Sequence, residues 1–73
     1  MADIVPTAEE VALAAASNIR LTVDASLYTV EELEMIVNRM TEKTYIDIVN
    51  SDALSDDQQT AILRSAGGQL IFC

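Results

Sequence analysis

The sequence predicts a mainly α fold: one small helical domain over residues 1–73, a three- or four-helix bundle with a short extended segment and an apolar C-terminal tail. Three observations lead to this expectation. The length allows a single domain. Hydrophobic residues make up 51% of the chain, far above the disordered range. Three capping-box patterns each precede a run that favours helix.

The first capping box predicts helix 1 over about residues 8–18. Thr7 can accept a hydrogen bond from a backbone amide three residues later, and Glu10 can reach back to the amide of Thr7. Pro6 stands just outside and stops the helix from extending backward. The run from Val11 to Ser17 is rich in alanine, which favours helix.

Residues 19–25 alternate between apolar and polar side chains. Ile19, Leu21, Val23 and Ala25 recur at a period of two, which is typical of a short strand or extended arm. A continuation of helix 1 is the rival interpretation, and the sequence leaves both open.

Helix 2 is the clearest element and is expected over about residues 30–43. Thr29 and Glu32 form the second capping box. Leu33, Val37 and Met40 recur at spacings of three and four, which gives an apolar stripe along one side of a helix.

The next elements are less sharply marked. Residues 45–49 form an apolar cluster that ends at the turn-forming Asn50-Ser51-Asp52, and a short helix is favoured there over a short strand. Ser55 and Gln58 form the third capping box and begin helix 3, for which Gly67 fits a left-handed cap. The tail 69–73 is strongly apolar, and no internal repeat is evident.

The core that this chain can form is small. A chain of this length is marginally stable without disulfides or metals, and aromatic residues make up only 4%. The apolar side chains of segment 19–25 and of the tail therefore need a surface against which they can be buried. Either they pair as a small sheet over the helices, or one or both lie on a neighbouring subunit.

Composition argues against several classes of function. The chain has no His and one Cys, so the commonest general base is missing and a cysteine-based zinc site cannot form. A net charge of −8 opposes direct contact with nucleic acids and anionic membranes. We expect no catalytic residues, no metal and no cofactor. Cys73 either forms an intermolecular bridge or remains a plain terminal thiol.

The acidic residues are expected to be structural. Asp56 and Asp57 follow a cap serine, where negative charge compensates a helix N-terminus. A calcium loop starting at Asp47 would need glycine at its sixth position, where this chain has Asp52. A solvated helix face accounts for Glu31, Glu32 and Glu34.

One short segment resembles a known family. The run Asp24-Ala25-Ser26-Leu27, followed by Thr29-Val30-Glu31, is similar to the segment around the modified serine of acyl carrier proteins. The resemblance covers about eight residues, and Ala25 separates the aspartate from the serine, unlike the family's Asp-Ser-Leu. It implies a four-helix bundle with phosphopantetheine carried on Ser26.

The function expected from the sequence is a non-enzymatic protein–protein interaction module, a small accessory or structural subunit of a larger assembly such as a virus or phage particle. It would be cytoplasmic, or part of the virion if viral, with a protein partner or self-association and no lipid or nucleic-acid contact. An acidic inhibitor that imitates nucleic acid in the basic groove of an enzyme is one alternative, and a carrier modified at Ser26 is another. The expected interface residues are Leu21, Val23, Tyr28, Leu70, Ile71 and Phe72.

Overall fold

A computed structural model describes residues 6–73 and has an α/β fold in which a helix and a strand alternate three times. Two short 3-10 turns, Ala25–Leu27 and Ser51–Ala53, precede the second and third helices. The elements in chain order are α1 (Ala8–Ala15), β1 (Arg20–Asp24), α2 (Val30–Asn38), β2 (Tyr45–Val49), α3 (Asp56–Ser65) and β3 (Gln69–Phe72).

The prediction of a mainly α helical bundle is therefore wrong, and so is the four-helix bundle implied by the acyl-carrier resemblance. Residues 45–49, for which a helix was favoured, form the strand β2. The apolar tail forms the strand β3. Segment 19–25 contains the strand β1, as one of its two interpretations required. A single sheet replaces the expected bundle because all three apolar segments pair with one another.

The sheet has three parallel strands in the order β1-β2-β3. Arg20 of β1 is in register with Tyr45 of β2, and Tyr45 is in register with Gln69 of β3. Segment 19–25 and the tail could lie either in the chain's own sheet or on a neighbouring subunit. The structure places both segments in the chain's own sheet. They do not pair with each other, because β2 lies between them.

All three helices lie on one face of this sheet. Both crossovers run in the same direction along the sheet, and right-handed crossovers then place α2 and α3 on the same side. Burial along β2 agrees: Ile46 and Ile48 are fully buried, whereas the alternate residues Tyr45, Asp47 and Val49 are partly exposed. The molecule thus has two layers, a helix layer and a sheet.

The core lies between these layers. Leu33 and Ile36 of α2 and Ile62 of α3 are fully buried against Ile46 and Ile48. The alanines of α1 (Ala8, Ala12 and Ala15) are also buried, and their small side chains let α1 pack closely beside α2.

The capping residues begin the helices as predicted. Thr29 with Glu32, and Ser55 with Gln58, form both reciprocal hydrogen bonds of the capping box. At α1 only half of the box forms: the Thr7 hydroxyl accepts from the amide of Glu10 and donates to the carboxylate of Glu10. The helix starts are predicted correctly because each capping bond joins two residues only three positions apart and depends on no long-range contact.

The helix ends differ more from expectation. Helix 1 ends at Ala15, and Asn18 adopts a left-handed conformation with φ of 59°. Helix 2 ends at Asn38, five residues short of its predicted end. The left-handed cap expected at Gly67 is wrong, since α3 ends in an extended Ala66 and neither glycine has positive φ.

The two glycines are required instead by close approach of two loops. A Cβ at Gly68 would lie 2.4 Å from the carbonyl oxygen of Thr41 and 2.6 Å from that of Thr44. A Cβ at Gly67 would lie 2.3 Å from the carbonyl oxygen of Met40. The loop before β3 therefore fits against the loop before β2 only because positions 67 and 68 have no side chain.

The fold is a repeat, which the sequence alone did not show. The two 3-10 turns are 26 positions apart, as are the helix caps Thr29 and Ser55 and the core residues Ile36 and Ile62. Each repeat is a helix followed by a strand, and each strand pairs only with its neighbours, as in α/β solenoids. The repeat was missed because few residue identities are kept.

Thr44 ties the first repeat to the second. It is buried, its hydroxyl donates to the carbonyl oxygen of Ala15 at 2.6 Å, and the same hydroxyl accepts from the amide of Thr41 at 3.0 Å. The Thr41 hydroxyl also bonds to the Asn18 side chain. This cluster satisfies backbone groups where α1 ends.

Gly68→Ala should destabilise the protein. The added methyl group meets two backbone oxygens that cannot rotate away, so we expect a loss of about 1–3 kcal/mol in the free energy of unfolding, as is typical of overpacking. Urea denaturation measures it. The neighbouring exposed Gln69→Ala is the control and should change stability by less than about 0.5 kcal/mol. Equal stability of the two variants would contradict the close approach.

Thr44→Val should also destabilise the protein. It keeps the shape of the side chain but leaves the Ala15 carbonyl and the Thr41 amide without their partner, which costs about 1–3 kcal/mol. Thr22→Val, at an exposed position of β1, is the matched control and should be near neutral. A thermal melt that shows no difference between these variants would argue against the cluster.

Candidate functional site

The most unusual surface of the molecule is the sheet face that no helix covers, called here the open face. Parallel sheets are normally buried on both faces, so a parallel sheet with one uncovered face is uncommon. In the described part of the chain nothing lies over it. The open face consists of Arg20, Thr22 and Asp24 of β1, Tyr45, Asp47 and Val49 of β2, and Gln69 and Ile71 of β3.

The open face combines three apolar side chains with an ion pair. Val49 and Tyr45 are half-buried, and Ile71 is 42% exposed. Arg20 donates from two nitrogens to one carboxylate oxygen of Asp47, at 3.0 and 3.2 Å. Asp47 lies at the middle of the central strand, in register with Ile71, and Tyr45 and Val49 lie two residues before and after it.

Arg20 is held in place by two contacts. Its guanidinium carbon lies 4.6 Å from the centre of the Tyr45 ring, within cation–π distance. The hydrogen bond and charge of Asp47 raise the pKa of Arg20, so it stays cationic. The Arg20 side chain is 70% exposed, so solvent screens this pair, which serves mainly to orient the side chains.

Asp24 lies at the carboxyl end of β1. Its carboxylate accepts from the Ser26 hydroxyl at 2.6 Å and from the Ser26 amide at 2.9 Å. These bonds, together with one from Asn50, lower the pKa of Asp24, with the Ser26 hydroxyl the largest cause. A carboxylate with a lowered pKa is a weak general base, so this pair is poorly suited to activating Ser26 as a nucleophile.

The carboxyl ends of the strands form no crevice between diverging crossovers. Ligands in open α/β sheets bind where the strand order reverses, and the order β1-β2-β3 contains no reversal. At this edge the Ser51 hydroxyl and amide both bond to the carbonyl oxygen of Cys73, at 2.7 and 3.2 Å. These contacts close the end of the sheet and are structural.

An acidic groove lies in the helix layer. It has a volume of about 540 Å³ and is lined by Thr7, Ala8 and Glu9 at the start of α1 and by Glu31, Glu32 and Met35 of α2. The strands contribute two acidic side chains and one basic side chain to the open face, Asp24, Asp47 and Arg20. Nine further described acidic residues lie on helices and loops, so the helix layer carries most of the negative charge.

The structure places the six expected interface residues mostly on the inner side of the sheet. Val23 is buried, and Leu21, Leu70 and Phe72 are half-buried against the helix layer. Tyr28 is half-buried, and its hydroxyl donates to the carbonyl oxygen of Pro6 at 2.7 Å. Ile71 alone of the six lies on the open face.

Sequence reasoning did not single out the other residues of the open face. The signal was present, because Tyr45, Asp47 and Val49 alternate with Ile46 and Ile48 at a period of two. If residues 45–49 are assigned as a strand, this alternation separates the side chains that face the helices from those on the open face.

Comparisons of the chain with models of protein families, with curated proteins and with solved structures found no match. Between Pro6 and Cys73, no helix is long and apolar enough to cross a membrane. No group of three or more potential metal-ligating side chains comes together in that same range.

Ser26→Ala should raise the pKa of Asp24 towards its ordinary value of 3.8, because the largest cause of its lowering is removed. A carboxyl group with a lowered folded-state pKa stabilises the fold above its unfolded-state pKa, and this contribution is lost as the pH falls through the folded-state value. The variant should therefore lose less stability than the wild type on acidification below about pH 4.

NMR titration of the Asp24 carboxyl carbon measures this shift. Ser26→Thr keeps a hydroxyl at the same position and is the control, for which the pKa of Asp24 should stay low. An unchanged pKa of Asp24 in Ser26→Ala would show that the hydrogen bond from the Ser26 hydroxyl does not lower this pKa.

Proposed function

We propose that this protein is a non-enzymatic protein–protein interaction module, a small subunit of a larger assembly, that holds a partner protein on its open face. The observation that carries this proposal is a parallel sheet that, within residues 6–73, helices cover on one side only. A second protein surface would complete the burial that such sheets normally have.

The chemistry of the open face suggests the kind of partner. Ile71, Val49 and Tyr45 offer apolar area to apolar side chains of a partner. Asp24 adds a negative charge, and hydrogen bonds from Ser26 and Asn50 stabilise that charge and lower its pKa. A partner surface that combines apolar and basic side chains matches this face, and the net charge of −8 would attract a basic partner.

The size of the open face supports the role of a subunit. Three strands of four or five residues span an area of about 250 Å². A standard stable interface buries about 800 Å² on each partner. The open face alone therefore provides a weak contact, which suits a subunit that an assembly holds through several contacts.

Site-specific photocrosslinking tests this proposal. A photoactivatable amino acid replaces Thr22 or Gln69, which are exposed on the open face, and in a matched control it replaces Leu13, which is 67% exposed on α1. In cells that make this protein, the two open-face positions should crosslink to the same partner, and Leu13 should not. Crosslinks to that partner from Leu13 alone would overturn the proposal.

A binding measurement with the purified partner completes the test. Val49→Lys adds a positive charge and a longer side chain on the open face at the carboxyl end of β2, and we expect it to raise the Kd at least tenfold. Leu13→Lys adds the same charge on the helix layer and should leave the Kd within twofold. Circular dichroism checks that both variants are folded.

The acidic groove favours a second candidate, the acidic inhibitor that occupies the basic groove of a nucleic-acid enzyme. Glu9, Glu31 and Glu32 converge there around a partly apolar floor. This candidate predicts that Glu9→Gln with Glu31→Gln weakens binding, that affinity falls steeply with salt, and that open-face substitutions have no effect. The same variants thus separate the two candidates.

A further inference from the structure

We call the end of the repeat stack at α3 and β3 the β3 end, and no residue between Pro6 and Cys73 covers it. It comprises the outer edge of β3 and the outer side of α3. A groove of about 280 Å³ opens there, lined only by residues of these two elements: Asp56, Gln59, Thr60, Leu63 and Phe72. Leu63 is 52% exposed, and Leu70 and Phe72 are only half-buried.

The backbone of β3 has hydrogen-bonding groups that point outward. The amides of Gln69 and Cys73 donate to Thr44 and Ile48 of the second repeat. Because alternate residues of a strand turn their backbone groups to opposite sides, the N–H and C=O groups of Leu70 and Phe72 face away from β2. These four groups form a template for one more strand.

Nothing in the sequence of β3 discourages such pairing. Natural edge strands carry charges, prolines or bulges that block a further strand. β3 consists of Gln69, Leu70, Ile71 and Phe72, with no charge and no proline. The other edge strand, β1, carries Arg20 and Asp24.

The occupant of the β3 end needs two layers. An extended peptide alone would pair with β3 but leave Leu63 of α3 exposed. A helix alone would cover Leu63 but leave the backbone groups of Leu70 and Phe72 unpaired. A second copy of this chain brings a strand and a helix in the same relative position, so it covers both.

The second copy is expected to use its own β3 end. The opposite end of the stack, at α1 and β1, also carries two grooves of about 300 Å³ each, and Pro6, whose carbonyl oxygen accepts the hydrogen bond from Tyr28, lines both. Head-to-tail stacking would bring the uncharged β3 against β1, which carries Arg20 and Asp24, and would leave a free end on every copy, as in an open filament. Pairing of two like ends avoids both and gives a closed two-fold dimer.

We propose that two copies of this chain form a symmetric dimer through their β3 ends. The two β3 strands run antiparallel, with Ile71 opposite Ile71 of the second copy. Leu70 of each copy then lies opposite Phe72 of the other, and their outward N–H and C=O groups pair in both directions. The two sheets join into one of six strands, with all helices on one side.

Charge supports this end as the contact. The acidic residues at the N-terminal ends of α1 and α2 belong to the repeats that lie away from the β3 end, and the groove at the β3 end is lined by one charged residue, Asp56. Two copies of charge −8 still repel each other. Because salt screens this repulsion, the dimer should become tighter as ionic strength rises.

The dimer would double the open face, since the joined sheet presents the uncovered strands of both copies on the same side. That consequence rests on the proposed function, but the dimer itself depends only on the β3 end. Leu63 separates the two, because it belongs to the β3 end and not to the open face.

Sedimentation equilibrium from about 10 µM to 1 mM tests the dimer, with a reductant present so that Cys73 cannot link the copies. The wild type should change from monomer to dimer across this range. Ile71→Lys places like charges opposite each other, and Leu63→Lys charges the helix contact; each should raise the dimerisation Kd at least tenfold. Thr22→Lys and Leu13→Lys are the matched controls, on the other edge strand and on α1, and should leave it within twofold.

Hydrogen exchange gives a second readout at single amides. The amides of Leu70 and Phe72 should become protected as protein concentration rises, whereas the amide of Ile71, which points to β2, should be protected at every concentration. A monomer mass throughout the range, or a dimer that Ile71→Lys and Leu63→Lys leave intact, would overturn the proposal. A lost dimer with unchanged partner crosslinks would leave the proposed function standing.

Discussion

The central strand β2 imposes the constraint on which the rest of the structure depends. Ile46 and Ile48 are fully buried beneath the helices, and β2 pairs with a strand on each side. A shift of one residue would turn both isoleucines to the uncovered face and bring Tyr45, Asp47 and Val49 into the core. The register of β2 therefore fixes which residues form the open face, and β1 and β3 follow it through their pairing.

The sequence predicted the local features of this fold and missed the non-local ones. All three helix starts are correct, because a capping side chain and its backbone partner are three residues apart. β2 was not predicted as a strand, because a five-residue apolar cluster fits a short helix as well as a short strand. The choice is made by Leu21 and Leu70, which pair with Ile46 from 25 and 24 positions away.

The candidate site shows the same limit. Sequence reasoning selected the most apolar residues of the extended segments as an interface, but a strand turns its most apolar residues towards its own core. Leu21, Val23, Leu70 and Phe72 lie on that inner side. The open face consists of the residues between them, and its composition becomes visible only when the side of each strand that the helices cover is known.

The separation of charge between the two layers follows from how each repeat begins. Every helix starts at a capping residue followed by two acidic residues in its first turn, where negative charge compensates the helix dipole. Folding alone therefore accounts for six of the acidic residues of the helix layer. The strands have no such requirement, and their outward side chains are free to be selected for contact. In a stack of helix–strand repeats the strands are about 4.8 Å apart and the helices 8–10 Å, so added repeats curve the sheet inward and make the strand face the concave one. For these reasons the open face, and not the more strongly charged helix layer, is the better candidate for recognition.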